Sequence, residues 1–441
     1  MRNISLYFCR LLFWGMQKIR ELIMQKIFIS FYLIILSFTL FSQEQGYKIK
    51  FELTGVETPM LYVKGSYGHQ DYIFDSIKPQ SKYVYLLQNK KRIIPDGMYE
   101  LVDKEENSYM RFIVSQSRDF SIKKNDKNNY AVTGCDENKF FALIKSMEDR
   151  GTAEKMISQF IETSPESLLS KCLKINTRNL IAYCRDENGI IEFLLDFIDF
   201  NDARLLRTKT VIDGRWFFQE IEQHPDTINY YIDKLIAKTK NNDEVRRYYL
   251  QHLYKIFDTG LPEHASVLVH LYDNYCPNGT CDWLDDHFNR RIKREVLRKR
   301  QTLVGQTVPP LEAYTLTHEK INTKDIKNQY IILWFWDPDC EDCLEKTPKL
   351  YEFYQDFHHI YDFEVMAISI TEDYDRWIKL IPQFPDWINV SFAIEEPNYD
   401  FVDYFDLITT PGIFMIDKNH KIIARQFSLE EIFTIFGTLK K

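Results

Sequence analysis

Between Tyr47 and Leu53 the chain alternates. Tyr47, Ile49, Phe51 and Leu53 are apolar and Lys48, Lys50 and Glu52 are polar, the period of a strand with one wetted face. Strand-like runs recur at 60–64, 82–88, 98–102, 109–114 and 130–133, with turn signals such as Pro95-Asp96-Gly97 between them. This pattern predicts a small antiparallel β domain, a sheet or a sandwich, over 43–134. The period then changes. Leu168, Leu169, Cys172 and Leu173 fall at helical spacing, and Ser164-Pro165-Glu166 reads as a cap, a first-turn proline and an acid at a helix start. Similar runs at 190–200, 228–237, 244–257, 265–275 and 283–300 predict an α-helical domain over 135–301. From 302 to 441 the pattern alternates β and α. Tyr330–Trp336 (YIILWFW) is apolar almost throughout, as in a strand covered on both faces, and a helix over 343–357 follows it. A strand at 363–370, a helix at 374–381, a strand at 388–393 and a short helix at 398–405 come next. A hairpin over 412–425 and a helix over 429–439 complete the series.

Ahead of these regions stands a different segment. Ile27 to Phe41 is an apolar run of 15 residues, short of the roughly 20 that span a bilayer. Lys26 precedes it and Ser42 follows, the layout of a signal peptide, so residues 1–42 are expected to be a leader and the mature protein to be exported to a periplasm or cell envelope. An uncleaved anchor is the alternative. Composition supports packed cores: 45% of the 441 residues are hydrophobic and 15% aromatic. The net charge is −8, and the leader carries five cations against one acid, so the mature chain is more acidic still. There is no basic footprint, and nucleic acid is not an expected partner.

Export changes how the cysteines read, because paired cysteines outside the cytosol tend to be disulfides. Cys276 and Cys281 flank Pro277-Asn278-Gly279, a turn able to bring two sulfurs together, and are expected to form a structural disulfide; a second redox pair is the sharper alternative. The pairing of Cys135, Cys172 and Cys184 is open. Cys340 and Cys343 differ, because they stand between a buried strand and a helix in Trp336-Asp337-Pro338-Asp339-Cys340-Glu341-Asp342-Cys343. A C-x-x-C spacing places two sulfurs one helical turn apart, and the first sits at the helix N-terminus, where free N–H groups stabilise a thiolate. The thiolate is the attacking species in disulfide exchange. A zinc site needs a second pair of ligands, which this layout does not offer, and no metal or other cofactor is expected.

With Thr409-Thr410-Pro411-Gly412 just before the hairpin and Val304-Gly305-Gln306-Thr307-Val308-Pro309 as a lead-in, residues 304–441 resemble the thioredoxin superfamily, in its exported TlpA/ResA-like branch of thiol-disulfide oxidoreductases. The order of a β region, a helical region and this domain also resembles the multidomain thioredoxin-like proteins of Bacteroidetes. The resemblance implies an α/β thioredoxin-like C-terminal domain preceded by a small antiparallel β domain and an α-helical middle domain. It implies Cys340 and Cys343 as catalytic residues, Pro411 as a cis proline against them, Thr410 as groove lining and Trp336 as active-site packing. Protein thiol or disulfide clients and a membrane electron-donor thiol reductase are the implied partners.

The chain departs from that family at several positions. Asp339 replaces the usual Trp before the first cysteine, Glu341-Asp342 separates the pair, and Trp334 stands where thioredoxins bury a carboxylate. Four acids (Asp337, Asp339, Glu341, Asp342) crowd the sulfurs, and like charge disfavours a thiolate. They are therefore expected to tune the pair toward a reductant or isomerase and away from a strong oxidant. Peroxidase chemistry is disfavoured because Pro338 occupies the position where a Thr is wanted. The alternative to an enzyme is a thioredoxin-like scaffold that binds a partner and keeps the pair as a structural disulfide.

Overall fold

The computed structural model describes residues 46–125, 129–176, 192, 195–209, 218, 224–258, 264–371, 374–391, 394, 404–405, 407 and 409–439. The leader, Cys184, part of the helix expected at 190–200 and most of that expected at 398–405 lie outside them. The chain divides into two compact units, one of the described residues up to 176 with 204–209, the other of the remaining described residues.

The first unit is built on nine strands: β1 (Tyr47–Leu53), β2 (Leu61–Tyr67), β3 (Gln70–Ile77), β4 (Pro79–Ser81), β5 (Val84–Asn89), β6 (Gly97–Val102), β7 (Ser108–Val114), β8 (Asp119–Lys124) and β9 (Tyr130–Thr133). They form two sheets, ordered β4-β5-β1-β8-β9 and β3-β2-β6-β7. Side chains of both sheets share one core, where Phe51 of β1 meets Phe112 of β7 edge-on at 5.1 Å between ring centres. The alternation read along β1 is the burial observed, with Tyr47, Ile49, Phe51 and Leu53 inside. The sandwich is not wholly antiparallel, because β1 pairs in parallel with β8, Lys48 standing opposite Asp119. A parallel neighbour needs a long crossover, and the whole of β2–β7 supplies it. Strands β3, β4 and β8 were not expected; their exposed Asp and Lys hide the short apolar pairs Phe74/Ile77 and Phe120/Ile122 that anchor β3 and β8.

Three helices complete this unit: α1 (Asp136–Ser146), α2 (Arg150–Thr163) and α3 (Leu168–Asn176). The β-to-helical boundary expected at 134/135 falls inside the unit, because α1 is bonded to the sandwich. Asn138 is buried and grips the Ile113 backbone from both sides, Nδ2 donating to the carbonyl at 2.7 Å and Oδ1 accepting the N–H at 2.8 Å. Glu137, also buried, binds Ser115 and accepts the Leu169 N–H at 3.1 Å. Ser164-Pro165 does not start a helix. Ser164 closes α2 with its N–H on the Phe160 carbonyl at 2.9 Å, and Ser167 opens α3 by accepting the Ser170 N–H at 3.0 Å.

The second unit contains α4 (Pro225–Lys238), α5 (Asp243–Phe257), α6 (Ala265–Tyr275) and α7 (Asp286–Gln301). Asn242 caps α5 and Asp285 caps α7. The helix expected from Trp283 begins three residues later. Trp283 is 1% exposed, its indole N–H donating to the Tyr275 carbonyl at 2.8 Å, and the cap position passes to Asp285. Cys276 and Cys281 form the disulfide anticipated, Cα atoms 4.1 Å apart, around a turn in which Asn278 and Gly279 take positive φ.

The rest of this unit is a seven-stranded sheet ordered β11-β10-β14-β13-β12-β15-β16. Its strands are β10 (Glu312–Tyr314), β11 (Lys320–Asn322), β12 (Tyr330–Trp336), β13 (Phe363–Ser369), β14 (Ile388–Ser391), β15 (Gly412–Asp417) and β16 (Ile422–Arg425). Helices α8 (Glu341–Tyr361), α9 (Tyr374–Leu380) and α10 (Leu429–Leu439) accompany them. Strands β12, β13 and β14 run parallel, while β15 returns antiparallel to β12. The continuous apolar run of β12 has the cause inferred: Ile332, Trp334 and Trp336 enter one core and Ile331, Leu333 and Phe335 another. The Val304–Pro309 lead-in is tied to the β16 side, the Gly305 N–H donating to the Ile422 carbonyl at 2.8 Å.

Replacing Asn138 by Ala leaves the buried Ile113 N–H and carbonyl unpartnered, and is expected to lower the stability of the first unit by about 2 kcal/mol. Chemical denaturation of the full chain, followed by limited proteolysis in that unit, measures it; an unchanged midpoint contradicts the role given to this residue.

Candidate functional site

The site is built where β12 ends and α8 begins. The last backbone carbonyl of β12, that of Trp336, is held by the Ile370 N–H at 3.0 Å. Asp337 then forms a tight turn: its carboxylate accepts the Asp339 N–H at 2.9 Å and its carbonyl accepts the Cys340 N–H at 3.0 Å. This turn leaves Cys340 extended (φ −82°, ψ 120°) as the capping residue of α8. Its Sγ accepts the Cys343 N–H at 3.4 Å and lies 3.3 Å from the Thr410 carbonyl. Cys340 is partly exposed, whereas Cys343 is fully buried one turn along, and both are thiols.

Four of the sequence-predicted residues are therefore brought together: Cys340, Cys343, Thr410 and Pro411, the Thr410–Pro411 peptide being cis. Gly412 lies in close approach to Leu407: a Cβ there would stand 2.5 Å from Leu407 Cδ2 and force that side chain to move. Trp336 is 1% exposed and packs in the same apolar cluster as Cys343. Trp334, in the family's carboxylate position, donates its indole N–H to Thr347 Oγ1 at 3.2 Å, and Thr347 donates to the Cys343 carbonyl at 2.6 Å. An uncharged pair thus stands where an ionisable group was the family's pattern. Beside Pro411 a cavity of about 390 Å³ opens between α8 and the start of α10, floored by Trp334, Ile413 and Phe427 and rimmed by Lys346, Lys349 and Glu430.

The two thiols are electrostatically unequal. Partial burial pushes Cys340 up, but hydrogen bonds involving Thr410, Cys343 and the N–H groups of Cys343 and Asp342 outweigh it, so the thiol stands below its ordinary value. Burial pushes Cys343 up to about 12. The four nearby acids were expected to disfavour the Cys340 thiolate, and three of them have partners in the structure. Asp339 is ion-paired with Arg376 of α9, Asp342 with Lys346 at 2.9 Å, and Asp337 turns its carboxylate onto its own backbone. Glu341 is exposed on the first turn of α8. Arg376 and Thr347 were not foreseen. Arg376 lies on another helix and carries no local signal; Thr347 was detectable only as a small polar residue four positions after Cys343 on the buried side of α8. Among the described residues no group of three or more His, Cys, Asp or Glu is arranged to hold a metal ion.

A parallel βαβ core with a C-x-x-C at the helix start and a cis X-Pro beside it is the arrangement of a thioredoxin-like fold. Residues 328–422 match the family model described as thioredoxin-like, and the likenesses that follow support a TlpA/ResA-like thiol-disulfide oxidoreductase of the thioredoxin superfamily. The chain is 23% identical over 144 residues to the thiol-disulfide oxidoreductase ResA of Bacillus thuringiensis (strain Al Hakam), a match covering 32% of this chain and 80% of that protein. ResA of Bacillus cereus (strain ATCC 10987 / NRS 248) is 25% identical over 120 residues, 27% of this chain and 67% of that protein. Among solved structures, a thioredoxin-like protein from Bacteroides caccae is similar over 58% of this chain and 95% of its own, with 17% identity and a TM-score of 0.44. A domain of a possible thiol-disulfide isomerase from Cytophaga hutchinsonii is 28% identical over 31% of this chain and 93% of its own, with a TM-score of 0.29.

The inequality of the thiols has a direct readout. Iodoacetamide labelling across pH, resolved by peptide mass spectrometry, is expected to modify Cys340 with a midpoint below the ordinary thiol range, because its thiolate persists to lower pH. Cys343 should stay unmodified in the folded protein until pH approaches 12. Equal labelling of the two at neutral pH contradicts the arrangement.

Proposed function

We propose that the protein exchanges disulfides with protein clients outside the cytosol, using Cys340 as nucleophile and Cys343 as resolving thiol. The observation that carries this reading is the pairing of a partly exposed, donor-stabilised Cys340 with a buried, protonated Cys343 one turn away. The Cys340 thiolate attacks one sulfur of a client disulfide; that S–S bond breaks, a mixed disulfide forms, and the client's other sulfur leaves as a thiolate. Cys343 passes its proton to the client thiolate already released and attacks the Cys340 sulfur; the mixed disulfide breaks, the Cys340–Cys343 bond forms, and the client's second sulfur leaves as a thiolate that water protonates. The client gains two electrons and the Cys340–Cys343 pair loses two. A membrane-bound thiol reductase returns the pair to the dithiol.

Each neighbour has a place in this scheme. The Thr410 carbonyl, 3.3 Å from the attacking sulfur, and Pro411 form the wall along which a client backbone lies. Trp336 fixes the floor under Cys343. The apolar run at 27–41 supports export, as does an acidic mature chain with a disulfide at Cys276–Cys281. The upstream residues 43–301 are read as the part that docks clients or organises the assembly, a role exchange chemistry alone does not need.

Turnover of a protein disulfide such as that of insulin, with a dithiol as electron source, tests the reading. Cys340→Ser is expected to abolish it. Cys343→Ser is expected to stop at the first step and accumulate a mixed disulfide at Cys340. Wild-type protein with no activity, and a Cys343→Ser variant that traps nothing, would leave only a scaffold with an inert pair.

A further inference from the structure

We propose that Arg376 is a positioning residue for the attacking cysteine: by holding the Asp339 carboxylate, it keeps that charge away from the Cys340 sulfur. The inference rests on the exchange reading of Cys340 but concerns a residue on a different helix, with no part in that scheme.

Three observations carry it. Asp339 is the residue immediately before Cys340, and its N–H is held by the Asp337 carboxylate at 2.9 Å, so its backbone is fixed beside the cysteine. Its carboxylate is paired with the Arg376 guanidinium. Arg376 in turn is not on a free loop. Trp377, the next residue, is fully buried in the cluster that contains Trp336 and Cys343, so α9 is pinned to the floor of the site by one residue and faces Asp339 with its neighbour. The buried Trp377 and the ion pair thus place α9 beside the C-x-x-C turn.

The charges around the sulfur can be followed element by element. On its own turn and helix stand Asp337, Asp339, Glu341 and Asp342, with Lys346 on Asp342. From α9 come Arg376 and, beside it, Asp375; from the loop before β15 comes the uncharged Thr410. Arg376 is thus the cation that α9 brings to the residue adjoining Cys340. Without it the Asp339 carboxylate is uncompensated, and like charge beside a thiolate disfavours the thiolate. The same loss frees the turn from α9, but that second effect does not depend on the sign of the charge, which makes the two separable.

Ultraviolet titration of the Cys340 thiolate in a Cys343→Ser background, on the full chain, provides the test. Both halves of the pair are about half exposed, so the expected effect is modest. Arg376→Gln should lower the thiolate fraction at neutral pH about two- to fivefold, the range an exposed pair supports. Arg376→Lys should restore most of it, and Asp339→Asn combined with Arg376→Gln should return it to the starting value, because the charge to be held is gone. Unchanged tryptophan fluorescence and circular dichroism confirm that the variants are folded. An Arg376→Gln titration indistinguishable from wild type overturns the proposal; so does a double variant as low as Arg376→Gln alone, which reports a purely mechanical tether. Failure of the exchange reading would show instead as absent turnover in wild type, with this titration still interpretable.

Discussion

The N–H of Cys343 can point at the Cys340 sulfur only because Asp337 stops strand β12 and turns the chain in two residues. If the turn were a residue longer, Cys340 would leave the capping position and its sulfur would lose the free donors of the first turn of α8. The other features of the site hang from this join. The depth at which α8 starts puts Cys343 inside the apolar cluster and Cys340 at its edge, and the antiparallel return of β15 beside β12 brings Thr410 and Pro411 to the same end of the sheet. One backbone turn thus sets the exposure, the donors and the partner loop of the reactive thiol.

The burial that serves the chemistry also serves stability. Trp334, Trp336 and Trp377 lie within the cluster around Cys343, all almost fully enclosed. Such a floor excludes water and keeps a thiol protonated. It also leaves Trp334 with a hydroxyl for its indole N–H where a carboxylate would bring a charge. Charge in this site is kept at the surface, on the acidic residues of the turn, and there each of two acids faces a cation: Asp339 faces Arg376 and Asp342 faces Lys346.

Much of the α/β domain was legible because its signals are local. Continuous apolarity marks β12, the cysteine spacing marks the start of α8, and Thr410-Pro411-Gly412 marks the loop before the hairpin. What was not legible is non-local. The parallel pairing of β1 with β8 leaves no trace in either strand's alternation, and α1 joins the sandwich through the side chains of Glu137 and Asn138, which read as ordinary first-turn polar residues. The acids beside the sulfurs were visible, but their cations were not equally so. Lys346 is four residues from Asp342, whereas Arg376 reaches Asp339 from beyond a long helix and a strand, so counting charge along the chain missed that cation.

The central claim is that the Cys340–Cys343 pair is a reversible dithiol–disulfide couple. Its reduction potential, measured on residues 43–441 by equilibration with dithiol buffers and tryptophan fluorescence, tests this most directly. The account predicts complete reversible cycling with a potential near that of thioredoxin, roughly −270 mV. A value near −120 mV, that of a strong oxidant, would contradict a reducing or exchanging role, and a pair that stays oxidised under strong reductant would contradict the claim altogether.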